Sequence, residues 1–88
     1  MQELNEQSLV DRGVRAEELL QSDTFSSAVK DIIDYHLNVF ITSKPEDEKL
    51  REAAYYQSNA IQQVIGVLQQ WVAIKEQIVA NRHNSVEE

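Results

Sequence analysis

The chain has 88 residues, a formal net charge of −7 from 15 Asp and Glu against 8 Lys and Arg, and no cysteine. A single domain this short buries only about 60 to 65% of its unfolded surface, so partners are expected to contribute to its stability, and without cysteine neither disulfides nor a thiolate metal site can do so. The acidic balance disfavours nucleic acid, whose phosphates need clustered Lys and Arg; Lys44, Lys49 and Arg51 form the tightest basic group, with Glu46, Asp47, Glu48 and Glu52 among them.

The first residues, MQELNEQSLV, have neither a basic segment nor an apolar core of the kind that directs export, so cytoplasmic synthesis is expected. Two Gly and one Pro leave few places to turn, and the supply of Glu, Gln, Ala, Leu and Lys favours helix. The expected fold is all-α. It is one domain over residues 1–88, an antiparallel helical hairpin with a long C-terminal helix and a shorter N-terminal helix.

The first helix is expected over residues 8–21. Ser8 followed by Asp11 resembles a helix start, and Leu9, Val10, Val14, Leu19 and Leu20 recur in a loosely helical pattern. Gly13 weakens this helix by about 1 kcal/mol relative to Ala. Ser22, Asp23 and Thr24 are three capping residues in a row, which predicts a break there and a second helix over 24–42. Along it Phe25, Ala28, Val29, Ile32, Ile33, His36, Leu37 and Phe40 form one broad apolar stripe, and Lys30, Asp31, Asp34 and Asn38 lie away from it.

The stretch TSKPEDEKL carries the clearest punctuation. Ser43 with Glu46 reads as a capping box, Pro45 suits a first helical turn, and Glu46, Asp47 and Glu48 suit the positive end of a helix dipole. A third helix is expected over 46–81, followed by a polar tail over 82–88. In it Leu50, Ala54, Gln57, Ile61, Val64, Leu68, Trp71, Lys75 and Ile78 alternate steps of four and three, the spacing of a coiled-coil seam. One flanking line is Ala53, Ala60, Val67 and Ile74, and another is Ile65, Val72 and Val79. The outer face keeps Gln62, Gln63, Gly66, Gln69, Gln70 and Ala73.

Residues 53–74, AAYYQSNAIQQVIGVLQQWVAI, carry no charge. As a helix this run is long enough to cross a bilayer, but its Gln, Ser and Asn side chains would have to be desolvated, so a protein contact is the expected destination. A turn near residues 43–45 predicts antiparallel pairing in which contacting positions sum to roughly 89. Phe40 then meets Leu50, Val29 meets Ala60, and Phe25 meets Val64, leaving Trp71 and Ile78 to be covered by the first helix folding back. One neighbour hides one side of the third helix, so a further interface is expected, with Tyr55, Tyr56, Val67, Trp71, Val72 and Ile74 as its candidate residues.

Chemistry finds little support. Asp31, Asp34 and His36 are the nearest approach to a metal constellation, but a di-metal bundle wants Glu-x-x-His on facing helices, and His36 is read as the edge of the hairpin core. Neither Gly belongs to a nucleophile elbow or a phosphate loop, and neither His has an orienting partner at a readable spacing. No catalytic, cofactor or metal residue is assigned, and an enzyme is not expected.

Two stretches carry a family likeness: Arg15-Ala16-Glu17-Glu18-Leu19-Leu20 leading to Phe25, Ala28 and Tyr35, and Thr42 through Asp47 leading to Arg51-Glu52. Over roughly residues 13–78 the chain resembles a group of small helical proteins encoded by tailed bacteriophages, often near virion structural genes. The resemblance implies a non-enzymatic structural or assembly protein that binds its own copies or a capsid, portal or tail component. It would be made in the host cytoplasm, with the virion as a destination. The competing expectation is a small acidic phage regulator that binds and inhibits a host protein.

Overall fold

The computed structural model describes residues 5–87, with side chains described through Asn84. Three helices follow one another: α1, Glu6–Gln21; α2, Asp23–Thr42; and α3, Glu48–Glu87. The fold is all-α, and its long C-terminal helix is as expected.

Each boundary has a local cause. Asn5 is the N-cap of α1, its side chain accepting the Ser8 N–H at 2.7 Å, so the helix begins before Ser8, which lies within the first turn. Ser22 is the only residue between α1 and α2. Its extended backbone breaks the helix, its N–H donates to the Leu19 carbonyl at 3.1 Å, and its hydroxyl accepts the Phe25 N–H at 3.3 Å. One serine therefore closes one helix and opens the next.

The second junction departs from the expected capping box. Ser43 turns its hydroxyl toward the Phe40 carbonyl at 3.2 Å, and Pro45 and Glu46 lie in a turn ahead of α3. Asp47 stands just ahead of α3, its carbonyl accepting the Arg51 N–H at 3.2 Å, and it closes the turn: its carboxylate accepts the Lys44 N–H at 3.0 Å, and its own N–H donates to the Lys44 carbonyl at 2.9 Å. Arg51 then ties the turn down, donating to the carbonyls of Lys44 at 2.5 Å and Pro45 at 3.3 Å and to the Ser43 hydroxyl at 3.3 Å. At the far end α3 continues beyond residue 81 through most of the expected tail. Arg82 holds Glu6 at 2.6 Å and reaches Gln7 at 3.4 Å, joining that part of α3 to the start of α1.

Both α1 and α2 run antiparallel to α3, one after the other along its length. Glu6 meets Arg82, Gly13 meets Trp71 and Lys75, Phe25 and Val29 meet Ile65, and Phe40 meets Arg51. The register agrees with the expected sum near 89, although Phe25 shares its recess with Ile65 rather than Val64. The first helix covers the far half of α3 by extending the arm formed by α2. The molecule is thus a hairpin with one jointed arm, two helices thick along its length.

Such a shape is long and thin. Forty residues at 1.5 Å each make α3 about 60 Å long, and the molecule measures 64 × 30 × 22 Å. Its radius of gyration is 18.6 Å, against about 12 Å for a compact domain of this length. Among the described residues the buried apolar core is Val10, Ala16, Ala54 and Leu68, and no large side chain is fully buried.

The two sections of the arm differ in grip. At Gly13 the backbones approach so closely that an added Cβ would lie 2.8 Å from the Trp71 carbonyl oxygen. Gly13, Val10 and Ala16 are all buried, so α1 meets α3 through small side chains, and Lys75 pairs with Glu17 beside the crossing. Along α2 the single buried residue is His36.

Candidate interaction surfaces

The side of α3 that meets the arm is set by which residues are covered. Arg51, Ala54, Ser58, Ile61, Ile65, Leu68, Val72, Lys75 and Ile78 are buried or half-buried, a heptad-like line. It shares Ala54, Ile61, Leu68, Lys75 and Ile78 with the expected seam. Elsewhere it takes Arg51, Ser58 and Ile65 in place of Leu50, Gln57 and Val64, and at the Gly13 crossing Val72 is half-buried alongside Trp71. Two local constraints account for the rotation. Arg51 must face the turn to reach its carbonyls, and the close approach at Gly13 leaves no room for an indole, so Trp71 lies to one side.

This rotation decides where the candidate interface residues fall. Val72 is half-buried in the line that meets α1, which corrects its placement toward a partner. Trp71 is half-buried, with the Arg12 guanidinium 4.3 Å from its ring centroid and its carbonyl against Gly13. Ile74 is half-buried, whereas Val67 is 44% exposed and Val64, expected in the seam, is 54% exposed. Ala60, Val64, Val67, Leu68 and Trp71 with Gln63 line a shallow apolar recess on this flank. Tyr55 and Tyr56 are both exposed and stack edge to face with centroids 5.8 Å apart. Tyr55 and Tyr56 border a recess with Phe40, Glu48, Arg51 and Glu52.

The larger departure lies on α2. Its stripe was expected to be covered by the hairpin, yet Ile32, Ile33, Leu37 and Phe40 are exposed, together with Tyr35 and Ile41, the last at 72%. Phe25 and Val29 are half-buried, and Ala28 is exposed. The signal was present in IIDYHLNVFI, residues 32–41, where seven of ten side chains are apolar. No single neighbouring helix can cover so wide an arc, because one contact hides roughly a third of the circumference. On the side where α2 and α3 meet at Ile65, Leu20, Phe25, Val29 and Ile33 complete the walls of an open apolar valley, with Ser26 and Lys30 at its rim.

Polar groups define little else. His36 is 5% exposed, and its Nδ1 is buried with no hydrogen-bond partner, as is the Nε of Arg12. His36 thus sits inside the packed interior of the arm rather than at its edge. Asp31 and Asp34 remain on the outside, where Asp34 accepts from Lys30 at 3.0 Å. That hydrogen bond, with the carboxylate's charge, raises the Lys30 pKa above 10.5. Among the described residues no three His, Asp or Glu side chains gather as a metal ion would require, and no helix is long and apolar enough to cross a membrane. No protein-family model, curated protein or solved structure matches the chain.

Proposed function

We propose that the chain is a non-enzymatic structural or assembly protein of the small helical bacteriophage kind that its sequence resembles, working by laying helices against its own copies or against a capsid, portal or tail component. The observation that carries this reading is the uncovered apolar flank of α3. Val64 and Val67 lie open in a stretch without any charge, bordered by Gln62, Gln63, Gln69 and Gln70. Val64 and Val67 are each about half exposed, so leaving them in water forgoes roughly half of the about 1.5 to 3 kcal/mol that burying a fully exposed side chain would give. Amides at the border cost far less to desolvate than charges would. Tyr56, Val67 and Ile74 are the residues directed to the larger component.

The test is mass spectrometry of purified virions of the phage that encodes the chain, with Val67→Glu and Ile74→Glu introduced into its gene. The expected result is the chain present in particles, with incorporation reduced by either substitution. Absence from particles, together with recovery on a host polymerase or nuclease, would overturn the reading in favour of a regulator.

A further inference from the structure

The α2–α3 valley on the opposite flank from Val67 is walled by Leu20, Phe25, Val29, Ile33 and Ile65. α2 and Ile65 of α3 supply its floor and sides with Leu20 at the end of α1, and among the described residues nothing covers it. A layer of two helices ordinarily closes by stacking on a second layer, as in a four-helix bundle.

The surface area says how much cover is missing. The chain exposes 7017 Å², against about 5,300 Å² for a compact monomer of its mass. The difference, about 1,700 Å², is roughly twice the 800 Å² that each partner contributes to a standard interface. That is room for two standard interfaces, and one further layer on this flank takes the first of them.

Charge narrows the identity of that layer. From Phe25 to Ile41 the charged residues are Lys30, Asp31 and Asp34, net −1, and residues 53–74 have none. The remaining −6 of the chain's −7 lies outside these two segments. Lys30, at the valley rim, is already neutralised by Asp34. A strongly basic partner would be drawn to the acidic remainder, not to this strip. A partner that is itself nearly uncharged along a helix of equal length fits the valley, and α2 is such a helix. Its apolar residues from Phe25 to Ile41 cover about 24 Å. A self-complementary patch of this kind closes by a two-fold axis.

We infer that the valley seats α2 of a second copy of the chain, so that two hairpins stack face to face as a four-helix bundle. This rests on the helix-packing reading above and assigns self-association to the α2 flank, leaving the Val67 flank for the larger component.

Sedimentation equilibrium of the full chain tests it. The wild-type chain is expected to be a dimer of its 10.1 kDa subunit. Ile33→Glu, at a side chain already exposed in the subunit, should weaken the dimer at least 100-fold with helicity retained, and Val67→Glu should leave it intact. A wild-type monomer at every concentration would overturn the inference while leaving binding to a larger component standing. A dimer broken by Val67→Glu but not by Ile33→Glu would place self-association on the other flank. Should Ile33→Glu unfold the chain, Ile33→Cys decides. The protein has no other cysteine, so mild oxidation should give a disulfide-linked dimer, and a monomer that does not cross-link would refute the seating.

Discussion

Substituting alanine at the two glycines should move stability in opposite directions. At Gly13 the new methyl would lie 2.8 Å from the Trp71 carbonyl oxygen and closer still to the Lys75 Cβ. Because unstrained carbon contacts begin near 3.5 Å, α1 must withdraw by roughly 0.7 Å to clear the carbonyl oxygen and further to clear the Lys75 Cβ. Overpacking of this kind costs about 1 to 3 kcal/mol, against about 1 kcal/mol gained by replacing Gly inside a helix. Withdrawal also loosens the contacts of Val10 and Ala16, which belong to the small buried core. The net expectation is a loss of about 1 to 2 kcal/mol, lowering the urea midpoint by roughly 1 M. Gly66 is the internal control: a Cβ there meets nothing within 4 Å, so Gly66→Ala should gain about 0.5 to 1 kcal/mol. Urea denaturation followed by circular dichroism, at one fixed protein concentration, measures both. Gly13→Ala as stabilising as Gly66→Ala would refute the close crossing.

Leu68→Ala should cost about 2 to 4 kcal/mol because the side chain is buried, whereas Leu50→Ala should cost less than about 1 kcal/mol; equal losses in denaturation would restore the seam read from spacing alone. His36→Leu should stabilise by about 1 kcal/mol, since it removes a buried Nδ1 that lacks a partner, and a loss on calorimetry would mean that the imidazole makes a contact worth keeping. Arg51→Ala removes three hydrogen bonds that hold the turn and should cost about 1 to 2 kcal/mol, with hydrogen exchange accelerating at residues 43–52; unchanged exchange would sink the assigned role. Lys30 titrates above 10.5 because of Asp34, so its contribution to stability is present below that pH and disappears as pH rises through the folded-state value. Asp34→Asn should lower the Lys30 midpoint in an NMR titration, and an unmoved midpoint would break the assignment.

Much of the architecture was legible. Pro45 and the polar residues around it announced the turn, Ser22 stood in a run of good caps, and hairpin geometry gave a register that the Phe25–Ile65 and Phe40–Arg51 neighbours obey. The rotation of α3 was not legible. Leu50, Gln57, Val64 and Trp71 compete with Arg51, Ser58, Ile65 and Val72, and apolarity alone favours the first set. The outcome turned on Arg51 satisfying the turn carbonyls and on Gly13 admitting a close backbone, two contacts between segments distant in sequence. Reading Gly13 only as a weak point of its helix missed its use at the crossing. For the candidate surface, the uncharged run of α3 was the louder signal, yet α2 is the more exposed helix. The seven apolar side chains in residues 32–41 exceeded what one neighbour could hide.

The single extended residue at Ser22 gives the arm two independently opening units. The α1 section is fastened by the Glu6–Arg82 and Glu17–Lys75 pairs, whereas among the described residues α2 has no ion pair to α3. With no helical hydrogen-bond ladder running unbroken through the joint, α2, the less fastened section, can lift and reclose while α1 stays down. A molecule built this way resembles a clasp, able to admit another helix at one end without dissolving the other.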